Sequence, residues 1–98
     1  MSGYRLTPLA AEALREIYLY TQRAFGTYQA EAYLEGFRSA FGLLARFNEI
    51  GARADDIKAQ WRRYRYQSHF IFYTIETNDI LIRAILHAAR VPRSPLIE

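Results

Sequence analysis

Two stretches near the C-terminus, 69–76 (His-Phe-Ile-Phe-Tyr-Thr-Ile-Glu) and 80–88 (Ile-Leu-Ile-Arg-Ala-Ile-Leu-His-Ala), are apolar at odd and even positions alike. Successive side chains of a strand point to opposite faces, so a run that is apolar in both registers reads as a strand in the middle of a sheet. Thr77, Asn78 and Asp79 supply a hairpin turn between the two. A chain of 98 residues buries roughly 60–65% of its unfolded surface, enough for one modest core. A three-layer sandwich is out of reach, and whatever covers these strands must come from the first half of the chain.

That half reads as helix. Residues 3–7 form a short first strand, and Thr7-Pro8 fits an N-cap followed by proline at the first helical position. Leu9, Ala10, Ala13, Leu14, Ile17, Tyr20, Thr21 and Ala24 then keep helical spacing until Gly26 closes the helix near residue 25. Thr27 is the next candidate N-cap, and Ala30, Leu34, Phe37, Phe41, Leu44 and Phe47 form a second stripe. Residues 48–60 have no clear period and read as a loop with at most one helical turn; its Asp55-Asp56 pair serves as loop solvation or a helix cap. Residues 61–66 (Trp-Arg-Arg-Tyr-Arg-Tyr) have strand propensity, and Gln67-Ser68 reads as a turn.

The predicted order is therefore β-α-α-β-β-β in one α+β domain spanning residues 1–98. A helical hairpin packs on one face of a small, mainly antiparallel sheet. The other face stays partly open, with the basic strand on or beside it. The expected core sets Phe70, Phe72, Ile82 and Leu86 against Leu14, Ile17, Phe37, Phe41 and Leu44. Residues 89–98, with Pro92 and Pro95, form a tail without regular structure or a short capping segment.

Composition narrows the chemistry. At 51% apolar and 23% charged residues the chain is globular in composition and not disordered. It has no cysteine, which excludes disulfides, thiolate metal sites and a cysteine nucleophile. No apolar run approaches the roughly 20 residues of a membrane span, and the N-terminus lacks the apolar core of a signal peptide, so a soluble cytoplasmic protein is expected. Twelve of the 13 cationic residues are arginine. Charge balances over residues 1–50, whereas residues 51–98 carry eight cations against five carboxylates. Arginine pairs with carboxylate or phosphate in bidentate geometry and transfers no proton at neutral pH. The basic half should therefore meet acidic protein or nucleic acid, unless its arginines are merely solvated.

The titratable candidates are few. His87, near the end of the last strand, reads either as a general acid or as a histidine that packs and hydrogen-bonds at a strand end. His69 reads chiefly as a turn-stabilising residue. Two histidines without neighbouring carboxylates or cysteines are too few for a metal, and no cofactor is implied. In the basic strand, alternation sends Trp61, Arg63 and Arg65 one way and Arg62, Tyr64 and Tyr66 the other. That pattern suits a stacking platform for single-stranded nucleic acid, a protein or DNA contact surface, or an edge strand protected by charge with half-buried tyrosines.

Several pieces, in order, carry a family likeness: Tyr4-Arg5-Leu6-Thr7-Pro8-Leu9-Ala10, Leu14-Arg15-Glu16-Ile17, Ala30-Glu31, Tyr33-Leu34, Asn48-Glu49-Ile50-Gly51, Arg62-Arg63-Tyr64, Ser68-His69-Phe70-Ile71-Phe72-Tyr73, Ile80-Leu81-Ile82, and Ile85-Leu86-His87 leading to Arg90. Over roughly residues 4–96 the chain resembles the ParE branch of the RelE/ParE superfamily, the toxins of bacterial type II toxin–antitoxin modules. It departs from the pattern after Gly51, where a proline is usual, and at Ala89, where arginine is frequent. The resemblance implies a toxin that inhibits DNA gyrase by trapping its cleaved-DNA complex and is neutralised by a ParD-like antitoxin. The same superfamily holds ribosome-dependent mRNA endoribonucleases of the RelE type, so fold alone does not decide. That branch resembles a solution with lysines, arginines and a C-terminal tyrosine. This chain has one lysine, at 58, and no tyrosine after Tyr73. The expectation is an inhibitor and not an enzyme, with the endoribonuclease as the alternative. The expected partners are the antitoxin and gyrase, with or without its cleaved DNA, and neither a membrane nor a small-molecule substrate. Arg62, Arg63, Arg65, Arg83, His87, Arg90 and Arg93 are expected to form one effector edge if their strands lie side by side. Trp61, Arg62, Arg63, Tyr64, Arg65 and Tyr20 are expected to meet the antitoxin.

Overall fold

Thr7 starts the first helix and ties it to the sheet. In the computed structural model, which describes residues 3–91, the Thr7 hydroxyl accepts from the Ala10 amide at 3.1 Å and donates to the Arg83 carbonyl at 3.0 Å. Its own amide donates to the Ile82 carbonyl at 3.0 Å. Before it runs a short strand, β1 (Gly3–Leu6), and after it helix α1 (Pro8–Phe25), with Pro8 in the first turn, where its missing N–H costs nothing. The chain then reverses at Gly26, whose φ of +93° favours glycine. Helix α2 (Thr27–Arg46) follows directly. Gly26, not Thr27, is the non-helical cap residue of α2; Thr27 lies inside the first turn and its hydroxyl accepts from Gln22 Nε2 at 3.2 Å.

Four more strands complete one five-stranded sheet: β2 (Ala52–Arg53), β3 (Arg62–Tyr66), β4 (His69–Ile75) and β5 (Asp79–His87). The spatial order is β1-β5-β4-β3-β2, with β1 parallel to β5 and every other pair antiparallel. The two runs that are apolar in both registers are central, and the helical hairpin covers one face. Strand β2 is an addition to the expected order. It pairs Ala52 with Arg63 and Arg53 with Arg62, a ladder too short to leave a period in the sequence. Asp55 holds the loop behind it, accepting from Arg53 Nε at 3.0 Å and from the Gln60 amide at 2.8 Å. A 3₁₀ turn, Ala88–Arg90, follows β5.

The core differs from expectation in which strand residues face the helices. Ile71, Tyr73, Ile80, Ile82 and Ile85 pack against Ala10, Phe37, Ala40, Phe41, Leu44 and Ala45, with Leu14 and Ile17 at the margin. Ile82 is where it was expected, but Phe70, Phe72 and Leu86 lie on the opposite face with Ala54, Ala84, Ile57, Trp61 and Val91. Both registers of β4 are apolar, so alternation alone does not choose between them. In β5 a bulge decides. Phe72 pairs with Ala84 and Tyr73 with Ile82, which leaves Arg83 over and inverts the parity of everything after it. Along the helices, Leu9 and Tyr20 of the first stripe are exposed, and Phe47 of the second leaves the helix and is half exposed.

Close contacts fix how the hairpin sits. A Cβ at Gly36 of α2 would collide with the Tyr66 hydroxyl of β3, so glycine permits that approach. Phe41 is 1% exposed and stacks between Tyr4 (centroids 5.2 Å apart) and Phe37 (6.1 Å). We expect Phe41→Ala to cost about 3–5 kcal/mol, as for a fully buried ring. That is a large share of the roughly 5–15 kcal/mol of a domain's stability. Chemical denaturation of the variant, showing a strongly lowered midpoint at unchanged slope, checks this.

Candidate functional site

The expected site residues divide between the two faces of the sheet. On the helix side, α1, α2 and the turn end of the β3-β4-β5 ladder enclose a groove of about 990 Å³. Tyr20 and Phe25 of α1, Tyr33 of α2, His69, His87 and Arg90 line it. Tyr20 and Phe25 are about two-thirds exposed, so the groove presents free aromatic surface.

A histidine pair stands at the groove's sheet end. His69 and His87 are cross-strand partners with ring centroids 5.3 Å apart, edge to face. His69 Nδ1 shares a hydrogen bond with the Tyr33 hydroxyl at 2.9 Å, a tertiary tie between β4 and α2 where a local turn bond was expected. Burial, reinforced by the neighbouring His87, lowers the pKa of His69 below its usual 6.5. Burial likewise raises the Tyr33 phenol. His87 is exposed, and its Nδ1 accepts from the Ala89 amide at 3.0 Å, capping the 3₁₀ turn. Among the described residues no three His, Cys, Asp or Glu side chains come together as a metal would require.

The opposite face carries the aromatic–cationic strand. Trp61, Arg63 and Arg65 point there. Trp61 lies 5.7 Å from Phe72 and Phe70 lies 6.3 Å from Phe72, centroid to centroid. The guanidinium groups of Arg63 and Arg65 sit 5.8 and 5.4 Å from the Phe70 centroid, and Lys58 Nζ sits 5.9 Å from that of Trp61. Arg65 Nε also donates to the Gln67 carbonyl at 2.8 Å.

The remaining candidates serve the fold. Tyr64 and Tyr66 pack against the helix-side core. Arg62 donates through Nη1 to the carbonyls of Gly51 (2.6 Å) and Glu49 (3.2 Å), and the adjacent Tyr73 hydroxyl donates to the Asn48 carbonyl at 2.8 Å. Together they close the exit of α2. Arg83 donates to Thr74 Oγ1 at 3.1 Å and pairs with Glu76 at 3.7 Å. Strand β4 stands between β3 and β5, so the arginines of the two do not form a single edge. Arg93 lies outside the described residues. Tyr20 opens into the groove, away from Trp61, Arg63 and Arg65 behind the sheet. Sequence reasoning passed over Phe25 and Tyr33 as groove residues; Phe25 directly before the helix-closing Gly26 was the available signal.

The comparisons with known proteins agree with this architecture. The family model for the ParE toxin of the type II toxin–antitoxin system parDE matches residues 4–92. The chain is 28% identical over 96 residues to Toxin ParE1 of Caulobacter vibrioides, covering 98% of this chain and 99% of that one. It is 35% identical over 74 residues to Toxin ParE1 of Mycobacterium tuberculosis, covering 76% of each. A solved structure described as the chromosomal ParDE TA system from P. aeruginosa superposes with a TM-score of 0.77 at 18% identity, over 89% of this chain and 96% of that chain. The chain belongs to the ParE toxin family. No described helix is long and apolar enough to cross a membrane.

The His69 environment generates a pH prediction. Its folded pKa lies below its unfolded one, so the unfolded chain takes up the proton first and stability falls as pH drops through about 6.5. Asp55 and Asp79, held below the usual 3.8 by hydrogen bonds from Arg53 and Arg5, titrate in a separate and lower window. Melting temperatures at pH 7.5 and 5.5 should differ more for the parent than for His69→Gln.

Proposed function

We propose that this protein is the toxin of a type II toxin–antitoxin pair, that it inhibits DNA gyrase in the cytoplasm by trapping the cleaved-DNA complex, and that a ParD-like antitoxin neutralises it. The observation that carries the reading is the family match over residues 4–92. The groove geometry favours an inhibitor over a nuclease. RNA cleavage needs a positioned acid and base beside the phosphate. Here His87 Nδ1 accepts a backbone amide, His69 Nδ1 is bound to a phenol, and among the described residues no carboxylate hydrogen-bonds to either ring. The one lysine lies on Trp61, across the sheet. No cofactor enters this mechanism.

The groove suits an amphipathic antitoxin helix, with Tyr20 and Phe25 as apolar anchors. The superposed solved structure is described as a ParDE system, which supports such a partner. The cations behind the sheet, which among the described residues pair with no carboxylate, are assigned with Arg93 to the target; Arg90 lines the groove.

Purified toxin added to gyrase and supercoiled plasmid should accumulate cleaved DNA, while mRNA in arrested cells stays intact. Ribosome-dependent mRNA cuts with gyrase unaffected would replace this reading by the RelE type. His87→Ala should leave toxicity largely unchanged. Tyr20→Ala, at an exposed position, should leave fold and toxicity intact and weaken antitoxin binding by about 2 kcal/mol, the scale of an aromatic anchor; titration calorimetry reads that loss.

A further inference from the structure

The face of the sheet opposite the helices lies outside the groove proposed for the antitoxin. Its buried floor is Phe72, and above it Trp61 and Phe70 are only partly covered. Three cations, Lys58, Arg63 and Arg65, lie over those two rings. Among the described residues none of the three pairs with a carboxylate, whereas Arg5, Arg15, Arg38, Arg53 and Arg83 each do. Arg65 is anchored by one bond from Nε to a carbonyl, and among the described residues its terminal nitrogens make no hydrogen bond.

We propose that this face binds single-stranded nucleic acid, with Lys58, Arg63 and Arg65 turning from the rings to the phosphates and so opening Trp61 and Phe70 as stacking platforms. The inference goes beyond the gyrase reading, which assigns the same cations to the target without saying what they bind, and its test does not involve gyrase. Arg63 and Arg65 are two residues apart on one strand face, hence about 6.6–6.8 Å apart along it. That repeat suits successive phosphates of an extended strand. An acidic peptide would satisfy the cations but offer no flat partner to the rings. A duplex would keep its bases stacked on one another and out of their reach. Aromatic stacking with guanidinium contacts tolerates any base, so binding should be largely indifferent to sequence.

Trp61 is the only tryptophan in the chain, so its fluorescence reports on this face. The full chain is titrated with a short oligothymidylate at several salt concentrations. The expected result is saturable quenching of Trp61, with an affinity that falls with salt by a log–log slope of about 0.7 for each phosphate contacted. Arg63→Ala with Arg65→Ala should lower that slope by about 1.4, and the milder Arg65→Ala alone, at an exposed position, by about 0.7. A duplex of the same length should quench less, and an oligoglutamate of equal charge should displace the strand poorly. Binding without quenching, a slope unchanged in the folded Arg65→Ala variant, or equal displacement by oligoglutamate would each overturn the proposal, the last by assigning the face to acidic protein. None of these readings involves gyrase, so a failed gyrase assay leaves the result standing and the converse holds.

Discussion

The bulge at Arg83 is the constraint on which the rest depends. One residue too many in β5 sets Ile80, Ile82 and Ile85 on the helix side, although strict alternation would separate Ile85 from the other two. The same bulge brings Arg83 into contact with two neighbouring elements. Its carbonyl takes the Thr7 hydroxyl, and its side chain reaches Thr74 and Glu76. Thr7 meanwhile caps α1, so the start of the helical hairpin is fastened to the irregular point of the sheet. The placement of α1, and with it the wall of the groove that carries Tyr20 and Phe25, follows from this junction.

Much of this was legible from residues. Thr7-Pro8 and Gly26 marked the helix ends because each has a backbone role few other residues fill. The central strands were legible because two registers of apolar side chains need cover on both sides. What could not be read was a choice between equals. Phe70 and Phe72 compete with Ile71 and Tyr73, and the chain contains no rule that prefers either pair until the helices are placed. Strand β2 escaped notice because two residues carry no period. The supposed single edge of arginines failed on strand order, since β4 separates strands that the basic residues alone would have put together.

Alternation within β3 divides that strand between two tasks. Arg62, Tyr64 and Tyr66 are drawn into structure, through the carbonyls of Glu49 and Gly51 and through the core beneath α2. Trp61, Arg63 and Arg65 emerge on the other side, where among the described residues neither arginine pairs with a carboxylate. The candidate site was thus half visible: the face of each side chain followed from period two, but the groove did not, because it is built from α1, α2 and the ends of three strands and has no local signature. His69 illustrates this, since its partner Tyr33 lies 36 residues away.

Charge placement follows the same division. The pairs Arg5–Asp79, Arg15–Glu12, Arg38–Glu35 and Arg53–Asp55 are largely exposed, and such pairs contribute little to stability. Their effect is on the field. Each neutralises a cation where it stands, so the positive potential of a chain with net charge +3 falls on places where, among the described residues, a cation pairs with no carboxylate. Lys58, Arg63 and Arg65 share one such place, against rings whose faces attract cations and whose burial keeps water from one side. The groove on the helix side, with Tyr20 and Phe25 exposed and Arg90 in its lining, suits a partner held chiefly by apolar contact, while the cations gathered on aromatic rings lie across the sheet from it.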